Sequence, residues 1–568
     1  MVKIDTQHAE EVMFKGRMKD RNESLFDVCE RVFGTLAGEG KKYGESPARV
    51  RDLKNKLTSY FLECKFVPST PILTNAGRYP DRPLSACAIP VFNNSMTKKE
   101  LEELVSKYHK KGMGTGFNFD DSTDPVNDLL FFNEIAVREA QNEGIDRPVG
   151  NMGILSINHP KIIEFITRKA EDRKNNWKFN LAVNITKDFI EKLLQKLPFE
   201  LRDGNKTDPQ QILDLITKCA FECGDPGVIF LDKFEQHNVT PHLGAYSSIA
   251  PCGEIAMARG EACQFGYINI SEFYKKGRID YMGLKRTIDI LVKMLDNALD
   301  LSIRNFENSA STEIVSKKRK IGVGICGFQS LLWKMRIPYN SERAVILAED
   351  IMSYINYESK KISVQLAKER GAFPAYYDKS TRNDLILDRY MRNTNRRVMY
   401  EEWRHLKNQM DKFGIRNVTT TSLPPTGRSS LVIGTSPSIE PAFRLNNERE
   451  FIELLIDHIK EEGYEGLCSQ IMDAVTTRGS ISNLDLPTEI KEIYKTCLEI
   501  PPESQLKIVQ AFQRFTDGSI SKTINLPSYA TSEDIQQIYL LAYNLGLKGI
   551  TVYRDKCRLY QPEKLKSK

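Results

Sequence analysis

The chain has 568 residues, 40% hydrophobic and 27% charged, an ordinary globular composition with length enough for a large core. Its 81 Lys and Arg against 75 Asp and Glu leave +6, mild for this size, which argues against a nucleic-acid coat and permits phosphorylated small substrates. No apolar run nears the ~20 residues of a membrane helix, the N-terminus has no signal-peptide core, and 11 scattered cysteines do not frame a small disulfide scaffold, so the expectation is a cytoplasmic protein with no membrane or direct nucleic-acid partner.

In chain order, residues 1–65 read as a charged, helical N-terminal segment, with Phe26, Val28, Val32 and Phe33 supplying one apolar face and Leu53, Leu57, Tyr60 and Phe61 another. A proline-rich stretch from Pro68 to Pro83 leads into the body of the protein. Thr97-Lys98-Lys99-Glu100 is a capping box, and Gly112 stops the helix it opens. Strand-like runs follow at Phe179–Ile185, Gly227–Leu231, Gly266–Ile270, Asn417–Thr421 and Ser429–Ile433. Long helical stretches separate many of them, among them Tyr281–Arg304 and Ala344–Arg370. Thr531 caps a further helix that Gly546 ends, and Lys548–Tyr553 is a last strand. This alternation predicts an α/β fold with a mostly parallel sheet, open or closed into a barrel. The body spans 66–557, and 558–568 reads as a disordered tail.

The chemistry concentrates in Ser247-Ser248-Ile249-Ala250-Pro251-Cys252-Gly253-Glu254, followed by Ala262-Cys263. A thiol donates hydrogen atoms as well as electron pairs, and a carboxylate two residues on can take a proton from a substrate hydroxyl. With a further thiol at Cys87, the set suggests radical chemistry on a sugar. Alone, Cys87 reads equally as a small buried apolar residue. Gly112-Met113-Gly114-Thr115-Gly116 reads as a plain turn or as a place where backbone approaches phosphate or ribose; it matches neither the P-loop nor the dinucleotide fingerprint. Pro424–Ser430 offers hydroxyls, a guanidinium and backbone N–H groups to a phosphate, or is a polar turn. Cys219 and Cys223, four apart on a helix, read as a buried face, and sparse histidines give no paired ligand motif, so no protein-held catalytic metal is expected.

These segments together resemble the catalytic subunit of ribonucleotide reductase. The resemblance runs from about residue 60 to about 557, through Phe66–Pro71, Ser85-Ala86-Cys87, Gly114–Phe119, Gly153–Pro160, Pro251–Glu254, Ala262-Cys263, Pro425–Pro441 and Val552–Asp555. Within the family the chain looks most like class II, the adenosylcobalamin-dependent branch. Ser521–Asn525 and Lys548–Asp555 carry that likeness, and Thr551 and Val552 stand where class I subunits have adjacent tyrosines.

The resemblance implies a ten-stranded α/β barrel of two half-barrels with a central finger loop. It implies Cys252 as thiyl radical, Glu254 as acceptor of the 3′-hydroxyl proton, and Cys87 with Cys263 as the pair that ends as a disulfide. Thr70, Ala86 and Gly116 would contact substrate, and Pro425, Thr426, Gly427, Arg428 and Ser429 would hold its phosphates. Substrates are ribonucleoside di- or triphosphates, with dNTP and ATP effectors. Arg173, Lys174, Asn175 and Asn176 form a candidate effector loop, or an ordinary solvated loop. A homodimer is implied. Cys557 is the last cysteine and no CxxC motif follows it, so re-reduction is expected either from an external, thioredoxin-like thiol or from a tail that this sequence does not include. Ala250 occupies the position of a family Asn whose amide serves the ribose hydroxyls. Alternative readings are a class I-like subunit needing a radical-generating partner, and a catalytically impaired nucleotide-binding paralogue.

Overall fold

A computed structural model describes residues 2–93, 95–141, 149–306, 308–446 and 449–558. The expected tail, from 559 on, lies outside the described residues. The N-terminal segment is helical as expected, with helices Thr6–Lys15, Leu25–Gly38 and Pro47–Leu62. Each starts at a side-chain cap, from Asp5, Ser24 and Ser46. Phe26, expected on the apolar face of the second, is exposed. Among the described residues no helix is long and apolar enough to cross a membrane.

Twelve strands matter for the site: β1 (Phe66–Pro68), β2 (Cys87–Ala88), β3 (Gly114–Asn118), β4 (Asn151–Ser156), β5 (Phe179–Asn184), β6 (Gly227–Ile229), β7 (Ser248–Ile249), β8 (Ala256–Met257), β9 (Ala262–Asn269), β10 (Ile321–Cys326), β11 (Thr523–Leu526) and β12 (Gly549–Arg554). The chain divides into two compact units, one of Met1–Ala86, His237–Gly244 and Gly260–Ile520, the other of Cys87–Gln236, Ala245–Arg259 and Ser521–Lys568.

In the first unit β9 pairs antiparallel with β1, Phe66 opposite Ile268, and parallel with β10, Gln264 opposite Ile321. Both β9 and β10 are buried along their whole length, as parallel strands covered on two faces must be. The helix Tyr281–Ile303 lies against both. Its Asp296 is fully buried and bonded to Arg319 (2.6 Å), Arg370 (2.9 Å) and Arg416 (3.3 Å). Burial alone would raise the Asp296 pKa, but the three guanidinium charges outweigh it and hold the carboxyl well below its ordinary value.

In the second unit β2, β3, β4, β5 and β6 run parallel in that order, β12 joins β6 antiparallel, and β11 lies parallel to β12. The helix Lys98–Lys110 begins at the expected Thr97 capping box, and Ser532–Asn544 at the one formed by Thr531 and Asp534.

Two expected strands are absent. Ser429–Ile433 has β-type composition but lies in the helix Gly427–Val432, because Thr426 takes a left-handed φ of 56° and its carbonyl accepts from Ser430 N–H, turning the chain into a helical coil. Asn417–Thr421 forms no strand: Thr421 makes a single bridge to Val323, while Thr420 and Thr421 N–H are bonded to the Asp517 carboxylate (2.7 and 3.2 Å).

Candidate active site

Residues 245–259 form a finger built on the hairpin of β7 and β8, with Ile249 opposite Ala256. Its tip is closed by Ala250 N–H to Ile255 O (2.9 Å) and Gly253 N–H to Ala250 O (2.8 Å), and Gly253 takes the φ of +79° that a side chain would resist. Ile249 and Ala256 pack into a buried cluster with Met152, Ile154, Ala182 and Ile229, from β4, β5 and β6. The finger is thus anchored by apolar burial to the strands of its own unit.

Beneath it runs β3, where Gly114, Gly116 and Asn118 share one face by strand periodicity. A Cβ on Gly116 would stand 2.1 Å from the Ile249 carbonyl oxygen and 2.9 Å from Ser248 Oγ. One on Gly114 would meet Pro251 Cγ at 3.1 Å and Cys87 Sγ at 3.4 Å. Asn118 Nδ2 donates to the Ser247 carbonyl (2.7 Å). The glycine-rich segment is therefore a strand, with finger residues 251, 249 and 247 passing over it in antiparallel sense. Its missing side chains are accounted for by the approach of the finger backbone.

Cys252 is the one exposed cysteine of the eleven; Cys87 and eight others are buried and Cys468 is half-buried. Burial pushes the Cys29 and Cys219 thiols up to about 12 and Cys223 to about 11, which keeps them protonated and inert. The pair Cys219 and Cys223 is, as expected, on the buried side of a helix, Pro209–Cys223. Glu254 is 2% exposed and Ala250 fully buried. The finger thus presents a thiol outward and keeps its carboxylate out of water.

Cys263, Thr70, Ala86 and the Pro425–Ser429 turn belong to the first unit. Cys263 is fully buried on β9, and its carbonyl accepts from Ala86 N–H (3.3 Å), the residue that precedes Cys87 in the chain. Two residues before Cys263, Glu261 is buried between Lys318 and Lys320, the latter at 2.7 Å. Burial would raise the Glu261 pKa, but the two ammonium charges hold it below the ordinary value. Thr70 is half-buried at the start of the helix Thr70–Asn75. In the proposed phosphate turn Thr426 and Ser429 are buried and Gly427 and Arg428 exposed, and Thr426 Oγ1 accepts from Ser438 N–H (2.8 Å).

In the candidate effector loop of the second unit, Arg173 donates to Glu222 (2.7 Å), Asn175 to Asp172 (3.2 Å) and Trp177 Nε1 to the Asp172 carbonyl (2.9 Å), while Lys174 and Asn176 are exposed. Sequence reasoning did not single out Asn118, Asn180 or Glu235, all of which bond to the finger main chain. The available signal was the alternation Gly-x-Gly-x-Asn on β3 and Asn-x-Ala-x-Asn on β5.

Residues 85–553 match the family model described as "Ribonucleotide reductase, barrel domain". The chain is 34% identical, over 94% of its length and 71% of the relative, to a vitamin B12-dependent ribonucleoside-diphosphate reductase of Thermoplasma acidophilum. It is 29% identical, over 94% of its length and 76% of the relative, to an enzyme of the same description from Mycobacterium tuberculosis. Its fold matches the alpha subunit of the class Id ribonucleotide reductase of Actinobacillus ureae, with a TM-score of 0.76 over 96% of both chains at 20% identity. The chain belongs to the ribonucleotide reductase family. The expected α/β barrel class is that of the matched domain.

Proposed function

We propose that this protein reduces ribonucleotides to 2′-deoxyribonucleotides through a thiyl radical on Cys252, and that adenosylcobalamin initiates it. The observation that carries the reading is the finger: its tip packs on Gly114 beside Cys87 and presents the one exposed thiol of the chain. The names of the two curated relatives support the cofactor. So do Thr551 and Val552, which offer no phenol for radical transfer from a partner protein. The residues fit such a group at its receiving end, because an outside radical initiator needs a sulfur it can reach. When bound, the cofactor supplies the one-electron chemistry that removes the thiol hydrogen of Cys252.

In this reading the Cys252 sulfur takes hydrogen from C3′ of the ribose, and Glu254 takes the 3′-hydroxyl proton. Burial of Glu254 suits a proton acceptor shielded from water. The 2′-hydroxyl leaves as water with a proton from the Cys87 and Cys263 pair. That pair also supplies the hydrogen that forms the new C2′–H bond, gives up two electrons in all and becomes a disulfide; Cys252 then returns its hydrogen to C3′ and Glu254 its proton to the 3′-oxygen. An external thioredoxin-like dithiol restores them. Thr70, Ala86 and Gly116 border the substrate, and the Pro425–Ser429 turn holds its phosphates. A dNTP or ATP effector acts through Arg173–Asn176 in a homodimer.

The test is anaerobic turnover of CDP and CTP with adenosylcobalamin and dithiothreitol, with deoxycytidine nucleotide as the readout. Multiple turnovers are expected from the parent and none from Cys252→Ser. Parental turnover by Cys252→Ser overturns the radical assignment. Absence of turnover by the parent, with dNTP binding retained, favours an impaired paralogue, for which the buried Ala250 is the structural argument. Turnover only with a metal-bearing partner protein favours a class I-like subunit.

A further inference from the structure

Three side chains outside the finger bond to its main chain. Glu235 accepts from Tyr246 N–H (2.9 Å), Asn118 Nδ2 donates to Ser247 O (2.7 Å), and Asn180 Nδ2 donates to Pro251 O (3.5 Å). The first two grip the base. The third reaches the tip, at the carbonyl bonded directly to the Cys252 nitrogen.

The amide orientations follow from chemistry. A carbonyl accepts only from a donor, so each NH2 must face the finger. For Asn118 the other end agrees, because its Oδ1 accepts from Asp120 N–H (2.8 Å). Strand register supports the direction of both side chains. Asn118 lies on the Gly114 and Gly116 face of β3, which the finger crosses. Asn180 shares a face of β5 with Ala182, which packs in the Ile249 cluster. Every other residue of β5 is buried and Asn180 alone is exposed. Proline has no N–H, which leaves the carbonyl as the only polar backbone group of Pro251.

We propose that Asn118 and Asn180 are positioning residues that clamp the finger at base and tip and so set where the Cys252 sulfur stands. The proposal rests on the reading of Cys252 given above. The apolar cluster around Ile249 holds the finger down, but such contacts are non-directional. The amides add direction along the strand, and the long tip bond leaves the least margin for displacement.

The experiment compares Asn118→Leu, Asn180→Leu and the corresponding Gln variants in the full chain. Leu keeps the volume and removes the donor. Four quantities are read: the thermal midpoint, kcat and KM for CDP with adenosylcobalamin, and the iodoacetamide labelling rate of Cys252 by peptide mass spectrometry without cofactor. Each Leu variant is expected to lose about tenfold in kcat, since misplacement of reacting groups by less than 1 Å is felt on that scale. KM should stay within about twofold, as expected when ground-state binding is untouched. Labelling of Cys252 should quicken, and Gln should restore most of kcat.

Parental kcat and labelling in both Leu variants overturn the clamp. Loss of kcat together with a lowered midpoint, unrelieved by Gln, assigns the two residues to general stability and overturns it as well. If Cys252→Ser itself turns over, the reaction assigned above is wrong, whereas the labelling rates still decide whether the amides position the thiol.

Discussion

Gly116→Ala tests the floor beneath the finger. The added Cβ would lie 2.1 Å from the Ile249 carbonyl oxygen, and contacts under 3.0 Å are essentially never seen, so something must move by about 0.9 Å. The obstacle is backbone, not a swinging side-chain end. Ile89 Cδ1 at 2.8 Å and Ser248 Oγ at 2.9 Å close the neighbouring directions. Overpacking of this kind costs about 1–3 kcal/mol. A finger lifted by that distance should lower turnover by about 10²-fold, the scale on which such misplacement is felt. Gly34→Ala is the matched control: it lies inside the helix Leu25–Gly38 with nothing within 4 Å and should gain about 0.5–1 kcal/mol in helix stability. Urea unfolding gives the first quantity and deoxynucleotide formation the second. A Gly116→Ala protein with the parental midpoint and parental turnover would refute the argument from close approach.

Ile249→Ala should cost about 2–5 kcal/mol by emptying part of the cluster with Met152, Ile154 and Ala182; equilibrium unfolding measures it, and a loss under 1 kcal/mol would mean the finger is held otherwise. Asp296→Asn should cost about 3–5 kcal/mol because three buried guanidiniums lose their carboxylate. The folded Asp296 pKa is depressed, so its contribution is fully present above the unfolded value of about 3.9 and is lost as pH falls below it; acid titration of the urea midpoint should fall more steeply for the parent than for Asp296→Asn, and equal slopes would contradict this. Arg428→Ala should raise KM for the nucleotide severalfold at constant kcat, the signature of lost uniform binding; unchanged KM would remove Arg428 from the phosphate set.

The parts of the fold legible in the sequence were those that local chemistry decides. Thr97 and Thr531 announced their helices because a hydroxyl and a carboxylate three residues on satisfy each other's backbone N–H groups. β5, β6, β9 and β12 were visible as apolar runs because buried strands need little else. β3 was not visible, since glycines are poor strand formers and only the finger overhead explains them. β10, Ile-Gly-Val-Gly-Ile-Cys, went unread for the same reason: a Cβ on Gly324 would stand 2.8 Å from the Ser422 carbonyl, a contact about a hundred residues distant in sequence. Ser429–Ile433 misled because its composition favours strand, while one left-handed residue upstream sets the chain coiling. At the site, Cys252, Cys87 and Cys263 were picked out by residue type. Asn118 and Asn180 were not, because their roles lie in bonds to main chain from distant strands.

Since the ledge under the finger consists of bare peptide at positions 114 and 116, no exchange of one side chain for another can raise or lower it. Divergence that retunes how far the sulfur projects must therefore be written into residues 247–251, or into the asparagines that grip them. In a saturation library this region should show two intolerant positions on the strand facing a more permissive run on the loop.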